Sequence, residues 1–552
     1  MESQSEKLRI VVIGGVAGGA SAAARARRCN AHAEITILEK GPVVSFANCG
    51  LPYHIGGEIV DRQKLLVATP ELFWERFRIR VRTGHEVRSI DRAAHTVTGL
   101  TTSGDEFKVP YDRLVIATGC EPVSPPFSCV SADNLFQLWT LDDMDRILQL
   151  LKKSPCKQAT VIGGGFVGLE VVEQLKQRNI DVTLVERLPQ VLAPLDPEMA
   201  RLIELEMKQA GVKVMLGAQV DSLLTSGGKV TAVKLSDGTS VATGLVIVSV
   251  GVRPRIALAQ AAGLEIGPAG GVVINKFCQT NDPLVYAVGD IVEYHHGTLG
   301  ANMRIPLAGP ANRSGRIAGA HAACGQAQPL ASVQGTAIVR VFGLTAGSTG
   351  LNARACQQAG IAYRVATIQA PHHASYFPGS KNMTLKILYE PDTGRLLGAQ
   401  AVGGAGIDKR LDVAATVLHF GGSVHDLAGL DLAYAPPFGS AKDALHMAAF
   451  VAQNDLSRLP SLLPYDAGLD DFQVVDVRNA SELESLPLEG AIHIPVDELS
   501  ERWQELDPDR PTITVCHSGK RAHVAACLLQ GKGLASVANL NGGMSIRRLK
   551  DN

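Results

Sequence analysis

Two stretches of the chain repeat one pattern of apolar and polar positions. The first is RIVVIGGVAGGASAAARARR (9–28) with EITILEK (34–40). The second is ATVIGGGFVGLEVVEQLKQR (159–178) with DVTLVER (181–187). Each opens on an unbroken apolar run, as expected of a strand covered on both faces. A glycine cluster follows, then the spacing of an amphipathic helix, then a second apolar strand that ends on an acid. YDRLVIATG (111–119) and LVYAVGDIVEY (284–294) read as further apolar strands, the latter delivering Asp290. Beyond DLSRLPSLLPYD (455–466), a proline-bearing linker, FQVVDVRN, LEGAIHIP and ITVCHSGKRAHVAACLL alternate short strands with helices.

Strand, glycine turn, helix, strand and acid form a dinucleotide-binding unit. Glycine permits the tight turn, the helix N-terminus faces a pyrophosphate, and the acid takes ribose hydroxyls. Gly14 precedes Glu39 by 25 positions and Gly163 precedes Glu186 by 23. The second copy is regular at Gly163, Gly165 and Gly168, whereas Val16 replaces the middle glycine of the first. The chain is therefore expected to be α/β with two Rossmann-like dinucleotide-binding domains.

Composition narrows the setting. A chain of 552 residues predicts three or four domains, and 46% hydrophobic with 19% charged residues fits an ordinary folded protein. A net charge of -1 points neither to nucleic acid nor to an anionic membrane surface. The polar start MESQSEKLRI is not a signal peptide, and no apolar run is long enough to span a membrane. Ten irregularly spaced cysteines make no disulfide framework, and no metal site is expected; a reducing cytoplasm is the expected location.

These motifs together resemble the flavoprotein disulfide reductase superfamily with two dinucleotide-binding domains. The resemblance implies FAD on the first copy, through Gly14, Gly15, Val16, Ala17, Glu39, Lys40, Val87, Thr118, Gly119, Asp290 and Ala308. It implies a nicotinamide nucleotide on the second, through Gly163, Gly165, Phe166, Val167, Gly168, Glu186 and Gly251. The Glu186 carboxylate repels the extra phosphate of NADPH and so favours NADH, with Arg187 beside it leaving NADPH possible.

SFANCGLPYH (45–54) then raises the question of chemistry. Many members of that superfamily carry a cysteine pair five residues apart here; the residue five past Cys49 is His54, and no other cysteine is closer than Cys29. A lone redox cysteine passes its oxidising equivalent to a mixed disulfide, a persulfide or a sulfenic acid. Its pKa is expected to be lowered by the flavin and a helix N-terminus. The cysteines at 29, 120, 129, 156, 278, 324, 356 and 527 read as ordinary thiols.

SFANCGLPY, Arg25 with Arg28, HHASYFPGS and YAPPFGSAKD narrow the resemblance to coenzyme A-disulfide reductases and related NADH-dependent persulfide reductases, over roughly residues 8–450. It implies a homodimer in which one chain's C-terminal domain completes the site of the other. Tyr376 and Tyr434 would then assist Cys49 in place of the absent His-Pro-Thr histidine. Arg25 and Arg28 share a helix face, and with Ser45, Asn48 and Lys442 they would hold coenzyme A. In TPELFWERF, Phe77 stands where some relatives carry a lysine.

The C-terminal segment resembles a rhodanese domain, with DVR, GAIHIP and NGGM (541–544). Cys516 would be its nucleophile, with Arg521 in the catalytic loop Cys-His-Ser-Gly-Lys-Arg, where successive N–H groups converge on sulfur and stabilise a persulfide. Ser545 and Ile546 replace the aromatic often seen after the last motif. The implied domains are FAD-binding (1–120 and 250–330), NAD(H)-binding (121–249), α+β dimerisation (331–453), a linker (454–466) and α/β rhodanese (467–552). The expected activity is NADH-dependent reduction of a small-molecule persulfide or polysulfide. Alternatives are coenzyme A-disulfide reduction, NADH oxidase or peroxidase activity through sulfenic acid, and a redox-sensing or sulfur-carrying protein.

Overall fold

The computed structural model describes residues 7–153 and 156–550, so the polar start read above lies outside it apart from its last residues. The described residues form two compact units: one within 7–189, 211–296 and 300–335, the other within 190–210, 297–299 and 336–550.

Both repeats fold as their patterns predict. In the first unit a five-stranded parallel sheet runs Val285–Ala287, Arg113–Ile116, Arg9–Ile13, Glu34–Leu38, Ile79–Arg82. A second runs Lys213–Met215, Asp181–Val185, Gln158–Ile162, Leu245–Val248, Leu135–Phe136. Their central strands are apolar because both faces are covered: Val12, Val115, Val161 and Ile247 are fully buried. Each central strand runs through its glycine turn into a helix, Ala17–Cys29 or Phe166–Gln177. Three-stranded antiparallel sheets, His85–Asp91 with Thr96–Thr101 and Glu106–Pro110, and Val220–Ser226 with Lys229–Leu235 and Ser240–Ala242, complete the unit's principal sheets.

The second unit holds a five-stranded antiparallel sheet, ordered Ala337–Val341, Leu344–Gly350, Leu396–Gly403, Asn382–Tyr389, Arg364–Pro371. Helices Ile407–His419 and Ala444–Leu456 pack on it around Leu385, Ile387, Leu411 and Leu445. Its C-terminal part is a five-stranded parallel sheet, Ser461–Leu463, Val537–Leu540, Thr512–Val515, Gln473–Asp476, Ile492–His493.

Two segments depart from the expected boundaries. Residues 190–210, expected within the NAD(H)-binding domain, belong to the second unit. Buried Lys386 explains this. It pairs with Asp196 at 2.6 Å and with Glu198, and Gln400 donates to the same Asp196 carboxylate at 2.8 Å. Burial pulls the Lys386 ammonium down, but the two carboxylates outweigh it and hold the pKa above the ordinary range. The expected linker 454–466 is structured. Ser461–Leu463 is an edge strand of the C-terminal sheet, and buried Asp455 accepts from Tyr389 Oη, Arg364 Nε and the Leu462 N–H, each at 2.7 Å.

Among the described residues no helix is long and apolar enough to cross a membrane.

Candidate active site

The glycine turns are built for close approach. Gly14 and Gly163 hold φ of +94° and +110°, and a Cβ on either would collide with the Ala117 or Ser249 carbonyl. A Cβ on Gly19 or Gly168 would collide with the carbonyl that opens the same turn. A Cβ on Gly165 would meet nothing within 4 Å, so that backbone is open to a ligand. Neither following helix has a side-chain cap or an acid in its first turn, which leaves its N–H groups for a phosphate. Val16 is the N-cap of the first helix, Ala17 its first residue, and Phe166 and Val167 open the second.

The two acids act alike. Glu39 accepts from the N–H of Gly15 (2.8 Å) and of Gly41 (2.7 Å); Glu186 accepts from Gly164 (2.6 Å) and Leu188 (2.7 Å). Each thus fixes its own glycine turn. Lys40 pairs with Glu86 at 2.5 Å, and Val87 lies at a register shift in its strand. Thr118 Oγ1 donates to the Arg255 carbonyl at 3.0 Å, and Gly119 and Gly251 both have positive φ. Ala308 opens the helix Ala308–Cys324. These features fit FAD and a nicotinamide nucleotide. Asp290 lies on the short turn Gly289–Ile291, where burial raises its carboxyl to about 6.

Cys49 sits on a single helical turn, Asn48–Gly50, that leads into the helix Leu51–Gly56. Its thiol is exposed and approaches Asn48 Oδ1 at 3.7 Å. Ser45 adopts a positive φ of 48° while its carbonyl accepts from Val67, which sets the entry to this turn. The helix Leu51–Gly56 is fastened to the second glycine-motif helix. Tyr53 Oη donates to Glu170 Oε1 at 3.0 Å, Gln174 and Gln177 donate to Glu58 at 2.9 Å, and Arg178 reaches the Ile55 carbonyl. The protein's own groups raise the Cys49 pKa: burial first, then the negative charges of Glu170 and Asp290.

Arg25 and Arg28 lie on the helix Ala17–Cys29. Arg25 Nε is buried without a hydrogen-bond partner, and the Arg28 guanidinium lies over the Phe77 ring at 5.3 Å. Phe77, where a lysine was looked for, thus supports an arginine.

In the second unit Tyr376 Oη and Tyr434 Oη are 3.2 Å apart, and that contact raises the Tyr376 pKa. Tyr376 is 75% exposed and Tyr434 48%. Their loops are tied together underneath. The Ala374 N–H donates to Gly439 O (2.9 Å), and buried Arg410 donates to His372 O (2.8 Å) and Asp443 (2.6 Å). Lys442 stands exposed just before Asp443, which caps the next helix.

Cys516 directly follows the strand Thr512–Val515, and its loop turns at Gly519 (φ +86°) into the helix Lys520–Gly531. The Met544 and Ser545 N–H groups donate to the Cys516 and His517 carbonyls at 2.9 Å, so the NGGM segment braces the loop. Gly543 must be glycine, because a Cβ there would strike both carbonyls and the Gly519 nitrogen. Arg521 makes a two-pronged pair with Glu482 at 2.6 and 2.7 Å, and buried Asp476 and Arg478 of DVR pair likewise at 2.6 Å.

Sequence reasoning passed over Tyr53, Glu170, Arg410 and Glu482. Glu170 is two positions past Gly168, one turn into the helix. Glu482 completes an Asn-x-x-Glu capping box with Asn479, a spacing legible in the sequence.

Residues 8–327 match the pyridine nucleotide-disulphide oxidoreductase family, 336–445 its dimerisation domain, and 464–545 the rhodanese-like domain. A coenzyme A disulfide reductase of Staphylococcus aureus strain JH9 is 33% identical over 446 residues, 81% of this chain and 100% of its own. An NADH oxidase of Methanocaldococcus jannaschii is 33% identical over 451 residues, 82% of this chain and all of its own. The reduced CoADR-RHD of Bacillus anthracis superposes with a TM-score of 0.94 at 38% identity, covering 98% of both chains. A NAD-dependent persulfide reductase from A. fulgidus superposes at 0.92 with 35% identity, covering 98% of this chain and 100% of that one. FAD and NADH are accordingly the cofactors of this oxidoreductase. The chain belongs to the pyridine nucleotide-disulphide oxidoreductase family, among the coenzyme A-disulfide and persulfide reductases that end in a rhodanese domain.

Proposed function

We propose that the protein uses NADH to reduce persulfides or polysulfides, such as coenzyme A persulfide, through Cys49, with Cys516 carrying sulfane sulfur. The observation that carries this reading is the braced Cys516 loop on the same chain as an exposed cysteine with no nearby cysteine companion. Persulfide reduction gives a sulfur carrier on the same chain a direct task, delivering or accepting the sulfur that Cys49 reduces.

FAD, when bound, would supply the two electrons taken from NADH for reducing a sulfur bonded to Cys49. The chain's own groups do the rest. The Cys49 thiolate attacks the inner sulfur of CoA–S–SH, expelling hydrosulfide and leaving a Cys49–coenzyme A mixed disulfide. Two electrons then return Cys49 and coenzyme A to thiolates. The hydroxyl pair Tyr376 and Tyr434 supplies the proton to the leaving thiolate, in a homodimer with shared sites. Arg25, with its unpartnered buried Nε, and Arg28, with Ser45, Asn48 and Lys442, hold the coenzyme A phosphates. The FAD-binding, NAD(H)-binding, dimerisation and rhodanese parts then divide the work of binding, reduction, site completion and sulfur carriage.

The test is anaerobic NADH oxidation by the holoenzyme with coenzyme A persulfide, polysulfide and coenzyme A disulfide in parallel, beside an aerated control. Persulfide-dependent turnover with hydrosulfide release is the expected result. Faster turnover of coenzyme A disulfide would make disulfide reduction the main activity. Oxygen-driven turnover alone would make Cys49 a sulfenic-acid centre.

A further inference from the structure

Two of the cysteines read as ordinary thiols are brought together by the fold. The helices Ala17–Cys29 and Ala308–Cys324 pack side by side and run in the same direction. A Cβ on Gly315 would strike the Gly18 carbonyl, one on Gly319 would strike the Ala22 carbonyl, and Asn30 Nδ2 reaches the Ala323 carbonyl at 3.3 Å. Glycine at these contacts lets the two backbones approach closely. Cys29 is the last residue of one helix and Cys324 the last of the other, at the same end of the pair. Cys29 follows Ala22 and Ala26 on the buried face of its helix.

Both thiols are free; Cys29 is half-buried and Cys324 exposed. They are near enough to act on each other. Burial raises the Cys29 thiol most, Arg25 draws it down, Cys324 raises it, and Arg316 draws it down again.

We propose that Cys29 and Cys324 form a second redox centre, a dithiol that closes to a disulfide and clamps the two helices at their C-terminal ends. The inference rests on this helix pair and is independent of the sulfur substrate. The oxidant is a low-molecular-weight disulfide, RSSR. The exposed Cys324 thiolate attacks one sulfur, the S–S bond breaks, and RS⁻ leaves and takes up a proton. The Cys29 thiolate, with Arg25 and Arg316 at hand, then attacks the Cys324 sulfur of the mixed disulfide and expels the second RS⁻. Two protein thiols and one RSSR become one protein disulfide and two RSH, so two electrons pass from protein to small disulfide. The closed bond joins residues roughly three hundred positions apart and so constrains the unfolded chain strongly. It also fixes the two helices whose other ends carry the FAD-binding candidates Ala17 and Ala308.

Holoenzyme carrying Cys49→Ser, which keeps that cysteine out of the reaction, is incubated with glutathione disulfide, alkylated, and digested without reduction. The expected result is a linked Cys29–Cys324 peptide and a melting temperature several degrees higher, both reversed by dithiothreitol. Adding Cys29→Ala should stop the reaction at a stable glutathione adduct on Cys324, and Cys324→Ala should prevent linkage. A persistent Cys324 adduct without linkage when both thiols are present, or no reaction at either, would overturn the dithiol. Linkage without a rise in melting temperature would overturn the clamp.

Discussion

The Tyr53 hydroxyl donates to Glu170 Oε1 at 3.0 Å, which fastens the helix after Cys49 to the helix of the second glycine motif. Both elements are therefore held in one frame, and the Glu170 charge reaches the Cys49 thiol. That contact makes Glu170 a lever on cysteine reactivity.

Replacing Glu170 by glutamine removes a negative charge that opposes the thiolate. The Cys49 pKa should fall, and the pH profile of its alkylation by iodoacetamide should move to lower pH. Tyr53→Phe, which removes the hydrogen bond but not the charge, should leave that profile nearly in place and cost about 1 kcal/mol of stability. An unmoved profile in Glu170→Gln would mean that burial and Asp290 raise the thiol without Glu170.

Glu186 has two tasks, and its replacement separates them. The carboxylate holds Gly164 and Leu188 through their N–H groups, and in the proposed reading it also repels the 2′-phosphate of NADPH. Glu186→Ala should lower kcat/KM for NADH by about tenfold or more while NADPH loses less, so the ratio shifts toward NADPH. Steady-state comparison of the two nucleotides measures it.

Lys386 sits between buried Asp196 and Glu198. Lys386→Met leaves two carboxylates without their cation and should destabilise the protein by about 3–5 kcal/mol. Urea unfolding should show the loss, with NADH-to-flavin electron transfer intact in the folded fraction.

In the rhodanese part, the Arg521 pair holds the Glu482 carboxyl at about 2, against its ordinary 4.5. A depressed carboxylate stabilises the fold fully above the unfolded value. That contribution is lost as pH falls from about 4.5 toward 2. Glu482→Gln should therefore narrow the stability gap to the parent protein over that acid range. It should also slow sulfur transfer from thiosulfate to cyanide at neutral pH, because Arg521 loses the group that positions it.

The dinucleotide turns were legible because their constraint is local. Gly14, Gly19, Gly163 and Gly168 are glycines for reasons a short window reveals, since backbone from the same turn or the adjacent strand fills the space of a Cβ. The Cys516 loop was legible for the same reason, strand to cradle to helix in a few residues. What depends on distant partners was not. Residues 190–210 join the second unit because Lys386 lies far along the chain from Asp196. SLL (461–463), between two prolines, looks like linker until Val537–Leu540 pairs with it. The charges of Glu170 and Asp290, which raise the Cys49 pKa, went unread because both residues are remote in sequence. The pairing of Cys29 with Cys324 was invisible for the same reason.

The central claim is that Cys49 alone cleaves the persulfide, and one anaerobic single-turnover experiment tests it most directly. Holoenzyme with its flavin oxidised and Cys49 as the free thiol is mixed with coenzyme A persulfide without NADH, quenched, and assayed for hydrosulfide and for the mass of the Cys49 peptide. The account predicts about one hydrosulfide per Cys49 and a coenzyme A adduct on that residue, both absent in Cys49→Ser. Hydrosulfide released equally by Cys49→Ser, or an adduct found on Cys516 with Cys49 unmodified, would contradict it.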